Sequence, residues 1–193
     1  MKIGVLAVQG AFIEHEHIIE KIGHEVVEIR QKKDLEGIDG IILPGGESTV
    51  QGQLLRKLDM LDTIKSAIAD GLPTLATCAG LILLAKQIDG GIPCFSVMDI
   101  RVKRNAYGRQ LGSFFTDDRF GGSERIPMTF IRAPYIESVG NNVEVLSIVD
   151  SNIVAAQQDN MLVTAFHPEL DEDLTVHQHF IRMVEQFRLK NAG

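Results

Sequence analysis

The chain has 193 residues, 45% of them hydrophobic and 23% charged, with a formal net charge of −7; this is the make-up of one globular domain with a sizeable core, and it excludes a disordered or low-complexity chain. The acidic balance argues against nucleic acid or an anionic membrane surface as the main partner. No apolar run approaches the roughly 20 residues needed to span a bilayer, so small-molecule and protein partners fit better.

Two cysteines occur, Cys78 and Cys94, and the N-terminus enters a strand directly where a signal peptide would show a charged and then apolar stretch. Both features predict a reduced, cytoplasmic protein. Residues 2–8 read as a continuous apolar strand of the kind buried on both faces of a parallel sheet. Gln9-Gly10 turns into a predicted helix over residues 11–22. His15 and His17 lie on it two residues apart and point away from each other, which argues against a metal pair and for solvated or partner-facing histidines. Gly23 takes the usual left-handed cap position, and residues 25–29 resume as a strand, completing a βαβ pattern.

Residues 40–43 form a third short strand, followed at once by Pro44-Gly45-Gly46-Glu47-Ser48-Thr49. Paired glycines at a strand end adopt backbone conformations closed to other residues and expose N–H groups toward a ligand. Ser48 or Thr49 is expected to cap the next helix. A phosphate loop would require Gly-Lys-Ser/Thr, and Glu47 stands where that cation belongs. An ordinary tight turn is the other reading of this hexapeptide.

Helices are predicted over residues 50–58 and 61–70. Next comes the stretch Pro73-Thr74-Leu75-Ala76-Thr77-Cys78-Ala79-Gly80-Leu81, where a β-leaning run meets a helix-leaning run. An abrupt strand-to-helix corner lifts Cys78 above the sheet edge at a helix N-terminus, a place that favours an anion, and the thiolate is the reactive form of cysteine. Gly80 lets the helix approach neighbouring backbone. Cys78 as a buried small hydrophobe stays open at this point. The helix is predicted to run to residue 87.

Beyond Cys94 hairpins replace βα alternation. Residues 97–104 and 125–132 are strand candidates, and 145–149 pairs with 153–156 across Asp150-Ser151-Asn152. Residues 112–123 read as a loop or flap. A final strand over 161–166 delivers Phe166-His167-Pro168-Glu169, before a terminal helix over 173–190 with Val176, Phe180, Val184 and Phe187 on its apolar face. Pro168 holds His167 extended, and in an extended segment His167 and Glu169 point the same way. That spacing suits a carboxylate that fixes an imidazole for work on a nucleophile; a plain strand-end turn is the alternative.

Taken together, Gly45-Gly46-Glu47-Ser48-Thr49, Thr77-Cys78-Ala79-Gly80 and His167-Pro168-Glu169 resemble the three motifs of the triad (class I) glutamine amidotransferases. Arg104-Asn105-Ala106-Tyr107-Gly108-Arg109-Gln110 and Phe130-Ile131-Arg132-Ala133-Pro134 narrow the resemblance to the glutaminase subunit of the two-component pyridoxal 5′-phosphate synthase. The similarity covers essentially the whole chain. Ala76 and Val50 depart from the family's more common glycine and threonine, and neither is a catalytic side chain.

The resemblance implies one α/β domain over residues 1–193, a three-layer sandwich with a central, mostly parallel, flavodoxin-like sheet. It implies hydrolysis of L-glutamine by Cys78, His167 and Glu169, with backbone N–H groups of Gly46 and Ala79 as oxyanion hole. Glutamine contacts map to Gly46, Glu47, Ser48, Arg104, Ile131 and Arg132; the two arginines could instead serve a salt bridge or an interface. No cofactor or metal is implied. The ammonia would go to a synthase subunit bound in a hetero-oligomeric complex. The rivals are a glutaminase serving histidine or purine synthesis, a non-catalytic binding protein of the same fold, and a cysteine-dependent flavodoxin-like stress protein.

Overall fold

The computed structural model describes residues 1–104, 112–122 and 125–191. In chain order its regular elements are β1 (Lys2–Leu6), α1 (Phe12–Lys21), β2 (Glu25–Ile29), β3 (Gly40–Leu43), α2 (Ser48–Lys57), α3 (Leu61–Ala69), β4 (Thr74–Thr77), α4 (Ala79–Leu84) and β5 (Ala85–Ile88). They continue as β6 (Met98–Lys103), β7 (Ser113–Arg119), β8 (Arg125–Ile131), β9 (Tyr135–Val139), β10 (Glu144–Val149), β11 (Asn152–Gln158), β12 (Met161–Thr164) and α5 (Thr175–Asn191).

The main sheet runs β2-β1-β3-β4-β12-β11-β9-β6-β5, with β10 added on β11. Its first half, β2 through β12, is parallel, and the strands β3, β4 and β12 are buried at every residue. Continuous Ile, Leu and Val runs form such strands because both faces are covered by helices. Strand alternation in β3 shows the covering. A Cβ at Gly40 would meet Val184 and Phe180 of α5, whereas Leu43, on the opposite face, lies against Gly80 of α4. A Cβ at Gly80 would run into the Leu43 carbonyl, so only glycine lets α4 start this close to the sheet. The three-layer α/β architecture expected from the sequence is present.

Four local expectations are corrected. α4 ends at Leu84 instead of continuing to residue 87, because Ala85 turns extended (φ −59°, ψ 136°) and β5 pairs in parallel with β6. In place of a loop, residues 113–119 form β7, which pairs antiparallel with β8 and stacks Phe114 on Phe130. β9 is a strand where none was predicted, inserted between β6 and β11. Finally, α2 starts at Ser48 itself after an extended Glu47, whose side chain makes no capping hydrogen bond. Among the described residues no helix is long and apolar enough to cross a membrane.

Candidate active site

Three adjacent strands of the parallel half deliver the residues singled out from the sequence. β3 ends in Gly45-Gly46, β4 in Cys78, and β12 leads through Ala165-Phe166 to His167. In open α/β sheets, ligands bind outside these carboxyl ends.

Cys78 occupies φ 48°, ψ −99°, a conformation costly for a residue with a Cβ. The surroundings enforce it. Its N–H donates to the Thr164 carbonyl at 2.8 Å, holding the corner on β12, while Gly80 clamps the next turn against β3. The sharp strand-to-helix corner is thus present, with Cys78 at its apex and only 7% exposed.

His167 reaches this thiol from β12. Its N–H donates to the Thr129 carbonyl of β8 at 2.8 Å, and its Nδ1 lies 2.6 Å from Glu169 Oε1. The contact with Glu169 arises differently from the expected extended segment: Pro168–Leu170 is one turn of 3₁₀-helix that folds the carboxylate back under the ring. Burial opposes protonation of the imidazole. Hydrogen bonds to Cys78 and Glu169, together with the negative charge on those groups, outweigh it and push His167 up to about 10. An imidazolium beside a cysteine sulfur and a carboxylate is equipped to deliver a proton to a leaving group.

The glycine loop is sewn to the end of β1. Gly45 N–H donates to Thr77 Oγ1 at 3.0 Å, and the Gly45 carbonyl accepts from Ala11 N–H at 3.0 Å. Gln9 Oε1 accepts from Glu47 N–H at 2.8 Å, and buried Gln51 donates to the Gln9 and Pro44 carbonyls. Gly45 faces His167, since a Cβ there would overlap Cε1 and lie 3.0 Å from Nδ1. Gly46 and Glu47 are exposed beside the site, and Ser48 is buried.

The other predicted binding residues lie farther out. Arg104 donates to Thr49 Oγ1 at 3.3 Å and, with Ser48, Arg56, Ile82 and Cys94, helps line a cavity of about 650 Å³ beside α2, which neither Cys78 nor His167 lines. Ile131 and Arg132 are exposed at the end of β8, two and three residues beyond the Thr129 carbonyl that holds His167. Residues 105–110, including Arg109, lie outside the described residues. No group of three or more His, Cys, Asp or Glu among the described residues could hold a metal ion.

His15 overturns its sequence reading. Only His17 of the α1 pair is exposed; His15 is fully buried, with Nδ1 2.9 Å from His177 Nε2 of α5 and Nε2 3.4 Å from Glu169 Oε2. Helical spacing carries the missed signal. His15 shares its face with Ile18 and Ile19, and His177 with Phe180, Ile181 and Val184, all buried.

The chain is 57% identical over 185 residues to the pyridoxal 5′-phosphate synthase subunit PdxT of Methanocorpusculum labreanum, covering 95% of this chain and 98% of that one. It is 55% identical over 183 residues to the subunit of that name from Desulfitobacterium hafniense, covering 94% and 92%. A crystal structure of a glutamine amidotransferase superposes with a TM-score of 0.91 at 40% identity, covering 95% of this chain and 98% of that one. The family model of the SNO glutamine amidotransferases matches residues 5–186, nearly the whole of the fold that carries Cys78, His167 and Glu169, and the chain belongs to that family.

Proposed function

We propose that the chain is the glutaminase subunit of a pyridoxal 5′-phosphate synthase, hydrolysing L-glutamine in the cytoplasm and passing the ammonia directly to a synthase subunit. The observation that carries the chemistry is His167, held 2.6 Å from Glu169 and pushed up to about 10 by its interactions with Cys78 and Glu169. The Cys78 thiolate attacks the side-chain amide carbon. Negative charge moves to the amide oxygen, where backbone N–H groups of Gly46 and Ala79 receive it. His167 gives its proton to the amide nitrogen, the C–N bond breaks, and ammonia leaves a γ-glutamyl thioester. Water then attacks the thioester, His167 takes its proton, and glutamate departs with Cys78 restored. Gly46, Glu47, Ser48, Arg104, Ile131 and Arg132 supply partners of both signs for the amino acid zwitterion. A glutaminase of histidine or purine synthesis is less well supported, since the two relatives described above, at 55% and 57% identity, carry the pyridoxal synthase name.

The test is ammonia release from saturating glutamine by the free chain and by the chain mixed with purified synthase subunit. We expect turnover to rise roughly 10²- to 10³-fold on mixing, the worth of one oxyanion donor. The Gly45 carbonyl accepts from Ala11 N–H, which holds this peptide in one orientation, and turning it over would reverse its carbonyl and the Gly46 N–H together. Glycines on both sides let this peptide turn over cheaply, and docking drives the turn if the partner prefers one orientation by a matching free energy. Equal turnover with and without synthase would exclude the switch.

Gly45→Ala probes the same loop. The added methyl overlaps His167, so the ring must leave its place between Cys78 and Glu169. We expect a folded protein with turnover lowered about 10²-fold or more, the cost of misplacing a reacting group by an ångström. Unchanged turnover at an unchanged melting temperature would show that the ring has room to spare.

A further inference from the structure

The reaction uses one oxygen of Glu169 and leaves the other to be accounted for. Oε1 meets His167, whereas Oε2 is buried and, among the described residues, makes no hydrogen bond of ordinary geometry. The group facing it, at 3.4 Å, is His15 Nε2. The same nitrogen lies 3.3 Å from Thr77 Oγ1, the hydroxyl that accepts the Gly45 N–H. Behind His15 is His177, with the ring centroids 5.1 Å apart and His15 Nδ1 at 2.9 Å from His177 Nε2. Both imidazoles are wholly buried. Burial, then the neighbouring His177 and His167, hold His15 well below the ordinary histidine range, and burial brings His177 down to about 4. Each ring therefore carries one proton at neutral pH.

Two arrangements of those protons are possible. If His15 is protonated on Nδ1, it donates to His177 Nε2. His177 then carries its own proton on Nδ1, which is buried and, among the described residues, has no partner, and a bare His15 nitrogen faces the Glu169 carboxylate. That arrangement buries an unpaired donor and opposes two acceptors. In the other, His177 Nε2–H donates to His15 Nδ1, His15 Nε2–H faces Glu169 Oε2 and Thr77 Oγ1, and the unpartnered His177 nitrogen is a neutral acceptor. An unpaired N–H beside an acceptor facing a carboxylate costs more than one unused neutral lone pair.

We propose that His15 is a positioning residue for the triad: its Nε2–H holds the second oxygen of Glu169 while His177 holds its ring, and Thr77 couples the same imidazole to the Gly45 loop. This rests on the glutaminase reading and deepens it. A carboxylate pinned at one oxygen alone is free to rotate about its last side-chain bond, and His167 would rotate with it. Pinning both oxygens keeps the imidazolium aimed at the reacting atoms. The long 3.4 Å contact fits a resting site, since catalytic hydrogen bonds often tighten only once substrate is bound.

The experiment measures kcat and KM for L-glutamine, with synthase subunit present, in His15→Asn and His15→Gln. The asparagine amide occupies the place of Nδ1 and keeps a partner for His177, but it cannot reach Glu169; the glutamine amide puts an N–H where Nε2 was. We expect His15→Asn to lower kcat about 10- to 100-fold, the effect of removing a hydrogen bond to a charged group, with KM unchanged, and His15→Gln to recover most of it. Wild-type kcat in His15→Asn, equal losses in both variants, or a loss confined to KM would overturn the proposal. The wild-type protein supplies a check that needs no variant to fold: ¹⁵N imidazole shifts should place the His15 proton on Nε2, and a proton on Nδ1 would overturn it. A wild-type complex that releases no ammonia from glutamine would instead sink the glutaminase reading, whereas an active wild type beside an equally active His15→Asn sinks only this inference.

Discussion

Cys78→Ser is expected to lower glutamine turnover by roughly 10⁴- to 10⁶-fold, the range seen when one member of a catalytic triad is removed, while the protein stays folded. Serine fits the site, so the loss is chemical. The strained φ of 48° is imposed by the Thr164 carbonyl on the Cys78 N–H and by Gly80 against Leu43, none of which the substitution touches. What changes is the nucleophile: a serine hydroxyl is a far weaker nucleophile than a cysteine sulfur. Cys94→Ser is the control. That thiol is partly buried, and burial pushes it up, away from the reactive form; we expect unchanged turnover. Ammonia release and melting temperature measured on both variants decide the matter, and so does labelling with a glutamine-analogue chloroketone, which should modify Cys78 and be blocked by glutamine. Retained turnover in Cys78→Ser removes the nucleophile assignment.

His167→Asn should be nearly as damaging, and Glu169→Gln less so, at roughly 10³- to 10⁴-fold, because the imidazole remains but loses the charge that orients and supports it. The pH profile adds a signature. The folded state raises His167 from 6.5 to about 10, so protonation of this ring stabilises the fold. That contribution is complete below pH 6.5 and is lost as pH rises through about 10. In the proposed reaction the same proton goes to the leaving nitrogen, so kcat should fall along the same alkaline limb. Cys78 and Glu169 hold the proton on this ring, and neutral His15 lies behind Glu169. Removing the Glu169 charge should therefore move the alkaline limb to lower pH. Wild-type rates in both variants, or an alkaline limb that Glu169→Gln leaves in place, would contradict the triad.

Much of this was legible in the residues because it follows local rules. Apolar runs buried on both faces mark β1, β3, β4 and β12. The Thr-Cys-Ala-Gly corner marks the elbow, and the spacing of Val176, Phe180 and Val184 marks α5. The spacing of His167 and Glu169 beside Pro168 marks their contact, although the turn that joins them is 3₁₀ and not extended. Where local preference and pairing conflict, the sheet decided. The Leu-Leu-Ala-Lys run after Cys78 is helix-forming in isolation, yet Ala85–Ile88 becomes a strand because β6 offers backbone partners. β7 is one-sided, with alternately exposed residues, and exists through its pairing with β8. The His15–His177 contact joins residues 162 positions apart. Each histidine is visible on its own helix face; that the two faces meet at the second oxygen of Glu169 depends on how α1 and α5 pack on the sheet. Periodicity fixes which side of a helix is buried, and only the packed tertiary structure fixes what that side is buried against.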